Sequence, residues 1–225
     1  MQPQYNEGAG KPLRRRAKQL RTQALCRYGV ATGVVLPLLV YAVAHFDPLF
    51  LLVALLIGVL TAPLLIPEAN RLWKESKTYY QGACGEEKTE QVLKSLTQSG
   101  WIAEYNLRLP QGGEIDVWLQ SPKGSNFILE VKSYPKEVRL EGDVLQRQSY
   151  DGKWIDFDKD FLEQIGKQAT AIKKAKKLTK VTRVVVFSDA KVILRNKKKI
   201  RGAYVMELGD LVSRLQELER TYPSR

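Results

Sequence analysis

The order of apolar and polar positions divides this chain into two parts. From Tyr28 to Ile66 the only charged residue is Asp47, and Asp47-Pro48 splits the stretch into Gly29 to Phe46 and Leu49 to Ile66. At a rise of 1.5 Å per residue each half extends about 27 Å, close to the roughly 30 Å hydrocarbon core of a bilayer. Neither half has a polar face, which argues against a buried hairpin of a soluble core. No small-residue cleavage site leads into a polar start, which argues against a signal sequence. The pattern predicts two membrane-spanning helices, about 29–46 and 49–66, joined by a tight turn.

After residue 80 the periodicity shortens. Glu86 to Ser99 predicts an amphipathic helix with Thr89, Val92, Leu93 and Leu96 on its apolar side. Trp101 to Leu109, Glu114 to Gln120 and Asn126 to Ser133 predict strands, the last two joined by the turn 121–125. A further hairpin is expected to turn at Asp151-Gly152, between Val144 to Gln148 and Trp154 to Phe157. A helix is expected from Asp160 to about Leu178, strands at 183–187, 192–194 and 204–207, and a closing helix from Asp210 to Tyr222. This order suits an α/β chain built on a mixed α+β sheet with flanking helices, preceded by a transmembrane helical hairpin. The expected division is a basic arm (1–27), the spans (28–66), a linker (67–80) that could extend the second span as helix, and a folded domain (81–225). Pro12 and the glycines at 8 and 10 argue against order ahead of the arm.

Charge refines the topology more than the chemistry. The net charge of +12 is shared equally between residues 1–78 and 79–225. Seven basic residues from Lys11 to Arg27 precede the first span, none lies in the turn, and Arg71, Lys74 and Lys77 follow the second. That asymmetry predicts an integral membrane protein with both termini and the folded domain in the cytosol. It also makes the arm a contact for anionic lipid, so its charge needs no nucleic acid. Cys26 and Cys84 lie on opposite sides of the apolar stretch and form neither a disulfide framework nor a zinc site. The one histidine, His45, sits among apolar residues, which excludes His-dependent nuclease chemistry, Ser-His triads and His-ligated zinc in the later domain.

Two strands carry misplaced charge. Side chains alternate along a strand, so Ile115, Val117 and Leu119 are expected on one face, with Asp116 interrupting the other between Glu114 and Trp118. In the next strand Glu130 and Lys132 interrupt a segment otherwise fit for burial. If Gln120 pairs with Asn126, antiparallel pairing holds residue sums at 246 and sets Asp116 opposite Glu130. Two carboxylates that close repel unless protonated or bridged by a cation, and oxygen-only ligation suits Mg²⁺, with Mn²⁺ as a substitute. A cation held there by Asp116 and Glu130 would polarise a phosphodiester, with Lys132 orienting water or neutralising developing charge. Glu86 lies seven residues before Leu93, on the apolar side of its helix, and is the candidate third carboxylate; Glu87 falls on the solvent side. Gln164 and Gln168 stand four apart on the later helix, where amides can serve phosphate, water or a carboxylate.

The ordered set Gly82-x-x-Gly85-Glu86, Gly113-Glu114-Ile115-Asp116, Ile128-Leu129-Glu130-Val131-Lys132 and Leu162-Glu163-Gln164-x-x-x-Gln168 resembles the nuclease-related domain (NERD) family, over roughly residues 80–175. That family belongs to the PD-(D/E)xK restriction-endonuclease-like fold. The resemblance implies an active-site set of Glu86, Asp116, Glu130, Lys132 and Gln164, with Glu86, Asp116 and Glu130 on the metal. It also implies Mg²⁺ and a nucleic-acid substrate, DNA before RNA. Phe161 stands where the family often has proline. Lys173, Lys177, Lys197, Lys198, Lys199 and Arg201 are the candidate nucleic-acid contacts, set against the plainer reading of a solvated basic surface. The expected function is a membrane-anchored metal-dependent nuclease. The alternatives are a catalytically silent module that recruits nucleic acid or protein, and a membrane interaction protein in which arm and hairpin are the functional part. Oligomeric state leaves no signal in the sequence.

Overall fold

The computed structural model describes residues 8–109, 113–194 and 199–221. Two compact units emerge. One comprises the chain up to Lys11 together with Gly82–Arg225, and the other comprises Pro12–Gln81.

The second unit is a pair of long helices. Helix α1 runs Lys11–His45 and α2 runs Pro48–Gln98. The turn between them follows from local chemistry: Phe46 adopts φ +49, and Asp47 Oδ1 accepts from Leu49 N at 2.9 Å and Phe50 N at 3.4 Å, capping α2. Both helices are long and apolar enough to cross a membrane. Leu36, Val43, Leu52, Val59 and Leu64 are more than half exposed, an apolar surface that water would not tolerate over such an area. Outside the apolar stretch the helices pack through Leu20, Ala24 and Leu72. Tyr28 Oη donates to Asn70 Oδ1 at 2.5 Å and Ser76 Oγ to Ala17 O at 2.8 Å.

Residues 67–80 are helical, so the second span and the amphipathic helix expected at 86–99 are one continuous element. The glycines at 82 and 85 do not interrupt it. A Cβ on Gly85 would lie 2.7 Å from Ser188 Oγ and 2.9 Å from Ser133 Cβ, so the glycine lets α2 approach the sheet closely.

The other unit is a mixed α+β domain. Strands β1 (Ile102–Arg108), β2 (Glu114–Gln120), β3 (Asn126–Lys132), β7 (Thr182–Phe187) and β9 (Ala203–Glu207) form one sheet in the order β1-β2-β3-β7-β9. The first three are antiparallel neighbours, and β3, β7 and β9 run parallel. A smaller sheet holds β4 (Val138–Glu141), β5 (Val144–Gln148), β6 (Trp154–Asp156) and β8 (Val192–Ile193), in the order β6-β5-β4-β8. The expected hairpin around Asp151-Gly152 is present as β5 and β6. Strand β4, which the sequence reading lacked, pairs with β5 across Gly142.

Helix α3 (Phe161–Ala175) packs Leu162, Ile165 and Ile172 on one face of the large sheet, against Trp118, Ile128, Val185 and Phe187. On the other face Leu93 and Leu96 of α2, with Leu211 and Leu215 of α4 (Leu211–Thr221), cover Val117, Leu129, Val184 and Val186. The central strands are therefore apolar on both sides, and a charged residue within them stands out.

One expectation about β2 is corrected. Ile115 does not share a face with Val117 and Leu119; it packs with Trp118 in the α3 core. The alternation breaks between the pairs Tyr105–Val117 and Leu107–Ile115, where Asn106 takes φ +52 and Asp116 lies on the partner strand. The local twist rotates Ile115 to the other face of the sheet.

Candidate active site

The antiparallel register of β2 and β3 follows residue sums of 246 from Gln120–Asn126 to Val117–Leu129. The paired ladder ends there. One step on, Asp116 Oδ2 accepts the Val131 N–H at 2.7 Å, so a carboxylate takes the place of a backbone partner at the end of the ladder. This bond fixes the aspartate beside the Glu130-Val131-Lys132 segment.

Glu130 is the centre of the constellation. It is 1% exposed, and both of its oxygens are engaged. Lys132 Nζ donates to Oε1 at 2.5 Å, Gln164 Nε2 to the same oxygen at 2.7 Å, and Gln168 Nε2 to Oε2 at 2.8 Å. The amides come from successive turns of α3, whose start is set by Asp160: its Oδ1 accepts from Leu162 N and Glu163 N, each at 3.0 Å. Buried charge requires partners of this kind. Lys132 is further held over the Phe161 ring, 4.6 Å from its centroid, which gives this residue a local role in placing the ammonium.

Gln168 joins the cluster more fully than its sequence position suggested. Its Nε2 also donates to Glu114 O at 2.9 Å, while its buried Oε1 has no donor among the described residues. The signal in the sequence was its place on the apolar face of α3, where an amide needs partners.

Glu86, on α2, is 8% exposed, and its Oε2 accepts the Gly10 N–H at 2.9 Å. Residues 8–10 are thus ordered against the domain, contrary to the expectation from Pro12 and the nearby glycines. Asn106 Nδ2 donates to Gly8 O at 3.3 Å, and Ala9 is 3% exposed. Gly10 is required by its φ of +74 and by Ala83 O, which a Cβ there would meet at 2.6 Å.

The electrostatics match this crowding. Loss of solvation, then the Glu130 and Glu86 charges, push the Asp116 carboxyl well above its usual range; Lys132 and the Val131 N–H oppose that more weakly. Burial raises Glu86 to about 7, with the Gly10 N–H opposing and Glu114 and Glu130 adding to the rise. Two carboxyls that resist ionisation, with the Glu130 charge acting on both, make added positive charge favourable there. Their chemistry fits a hard cation, and the unpartnered Gln168 Oε1 suits a water bound to it. Among the described residues, however, no three acidic, Cys or His side chains already converge as a metal-binding group.

The remaining cations serve varied ends. Arg201 Nη1 bonds Asp160 Oδ2 at 2.5 Å, and Lys199 lies 5.3 Å from the Tyr204 ring centroid. Lys173 and Lys177 are exposed, whereas Lys197 and Lys198 lie outside the described residues.

Comparison with curated proteins and with solved structures returned no match. Comparison with family models matched the nuclease-related domain over residues 81–188, an interval that contains Glu86, Asp116, Glu130, Lys132, Gln164 and Gln168. Residues 81–188 of this chain are a nuclease-related domain.

Proposed function

We propose that this chain is a membrane-anchored, Mg²⁺-dependent phosphodiesterase that cleaves DNA, with RNA as the second substrate, at the cytosolic face of its membrane. The observation that carries the reading is the gathering of Lys132, Gln164 and Gln168 on the buried Glu130, beside Asp116 on the neighbouring strand.

Asp116, Glu86 and Glu130 are the groups that would hold the cation, which when bound supplies Lewis acidity toward a phosphodiester. Lys132 is the one cation of the cluster among the described residues, partly exposed and held by Glu130 and the Phe161 ring, so it can meet a phosphate oxygen as negative charge grows on it. Gln164 and Gln168 hold the Glu130 oxygens in place. Exposed Lys173 and Lys177 at the end of α3 are the candidate backbone contacts for the nucleic acid, with Lys197, Lys198, Lys199 and Arg201 as a second basic group. The basic arm and the positive residues after the second span favour cytosolic termini.

The test uses the full chain in nanodiscs with labelled DNA and RNA. Cleavage is expected only with Mg²⁺ or Mn²⁺, falling at least about a hundredfold in Asp116→Ala and in Lys132→Ala. Metal-independent binding, unchanged by both substitutions and without product, would establish a binding module instead. That second reading draws on the saturation of both Glu130 oxygens by protein donors. Protease added outside intact spheroplasts should leave the domain whole; digestion there would reverse the orientation.

A further inference from the structure

Beside the candidate active site, on the side of Lys132 and Phe161, lies a cavity of about 230 Å³. Partly buried rings line it: Tyr134 just past β3, Phe157 ahead of α3, and Phe161 at the start of α3. Their centroids are 5.8 Å apart from Tyr134 to Phe157 and 4.9 Å apart from Phe157 to Phe161. Phe157 is also 6.0 Å from Phe187 of the core, which anchors the row. The small sheet adds a further wall. Side chains two apart on a strand share a face, and on β5 Leu145 lies in the core while Arg147 lines the cavity. The Arg147 guanidinium sits 5.6 Å from the Phe157 centroid and 6.0 Å from that of Tyr134. An ordinary core would close such rings together without space between them, whereas these open on a recess.

Charge does not choose the ligand of this recess. Lys132 is engaged by Glu130, and Arg147 by Asp158 at 3.4 Å, an exposed carboxylate that also lines the cavity. The rings choose it. Flat aromatic surface beside held cations suits a nucleobase, whose faces stack on rings and guanidinium planes while its phosphate stays with the cations. The volume is below the roughly 300–1,000 Å³ of sites for drug-sized ligands, which fits a single ring system. Lys132 ties the recess to the carboxylates, since its Nζ donates to Glu130 and lies 4.6 Å from the Phe161 centroid. A phosphodiester met by Lys132 therefore has an adjoining base at the mouth of the recess. We propose that the recess takes one unstacked base of the strand held at Lys132, so that the domain acts on single-stranded or locally opened nucleic acid. In a duplex both faces of each base are covered by stacking, and only opening frees one to enter. This assignment rests on the nucleic-acid reading of the neighbouring site and adds which state of the strand that site accepts.

The experiment measures binding apart from cleavage, using the full chain in phosphatidylcholine nanodiscs with EDTA and following labelled oligonucleotides by fluorescence anisotropy. The probes are oligothymidylate, the same backbone with abasic sites, and a blunt duplex of equal length. Wild type should bind oligothymidylate about tenfold more tightly than the abasic strand, the size expected for one stacked base. In Tyr134→Leu and in Phe157→Leu that preference should shrink to within about twofold. Tyr134→Phe, which keeps the ring and gives up the hydroxyl bond to Gln148 O, should retain it. A variant that has merely unfolded loses both strands together, and a wild-type measurement locates the base without any variant: 5-iodouracil in the strand, photocrosslinked and mapped by mass spectrometry, should join to Tyr134, Phe157 or Phe161. Equal affinity for the thymidylate and abasic strands would overturn the proposal. So would crosslinks found only elsewhere, duplex binding as tight as that of the single strand, or tighter binding of free thymidine monophosphate. Repeating the comparison with Mg²⁺ separates this inference from the nuclease reading. Cleavage of duplex and abasic strand as fast as of thymidylate would remove the base site and leave the nuclease, whereas base-dependent binding without cleavage would leave the base site and remove the nuclease.

Discussion

At Glu86 and Asp116, ionisation and folding oppose each other. Both carboxyls have folded-state values raised above their unfolded ones, Glu86 to about 7. Their protonated forms therefore contribute stability that is fully present below the unfolded value and lost as pH rises through the folded one. In EDTA, Glu86→Gln should leave stability nearly unchanged at pH 4 and raise it by about 1–3 kcal/mol at pH 8, as measured by denaturant unfolding. An equal effect at both pH values would mean that the glutamate is not held above its normal value. Saturating Mg²⁺ should reverse the wild-type deficit, since a bound cation favours the ionised pair. The same reasoning explains what was legible one residue at a time. Asp116, Glu130 and Lys132 stand out because each puts charge into an otherwise apolar strand, and Gln168 because it puts an amide on an apolar helix face. Gly10 was not legible. Its contribution is a backbone N–H brought from 76 residues away, and no side-chain pattern announces such a bond. Phe161 was unexplained in sequence, and its ring under Lys132 gives the reason it is tolerated.

Among the elements, α2 shows most clearly where pattern and structure part. Its apolar stretch, its charged middle and its amphipathic end differ so much in composition that they suggest separate segments, yet the backbone is helical throughout. Periodicity detects which face is buried and is blind to continuity, because helical backbone hydrogen bonds form beneath apolar and polar side chains alike, Pro63 and Pro67 inside α2 being the residues without an N–H to donate. Gly85 gives this element its close approach to β3 and β7. Gly85→Ala should cost about 1–3 kcal/mol in unfolding free energy through overpacking against Ser133 and Ser188, despite the better helix propensity of alanine. A stabilised variant would show that the sheet edge gives way. The short strand β4 escaped notice because Val138 and Leu140 are its only buried residues, too few to establish an alternation. The break at Asp116 escaped for a different reason: a twist in two neighbouring strands changes faces without changing register.

On the scale of the whole molecule, the apolar hairpin and the mixed domain were both evident from hydropathy and from ordered motifs, because each occupies a long block with its own period. The way the chain is divided between them was not. The domain unit includes the segment up to Lys11 and resumes at Gly82, with Gly10 packed against Ala83 and its N–H on Glu86. The hairpin is thus an insertion into the domain, and a chain begun at residue 82 would lack one donor of the candidate site. Joining residues 8–11 to 82–225 through a few glycines should preserve the donor, because the two ends already meet. Calorimetric titration should give tighter Mn²⁺ binding to this joined protein than to 82–225 alone, by about threefold to tenfold for one charge-assisted hydrogen bond. Equal affinities would show that Glu86 orients without Gly10. If the difference is found, the hairpin can be excised or exchanged like a loop, and attachment to the membrane becomes a property that can be edited without dismantling the site.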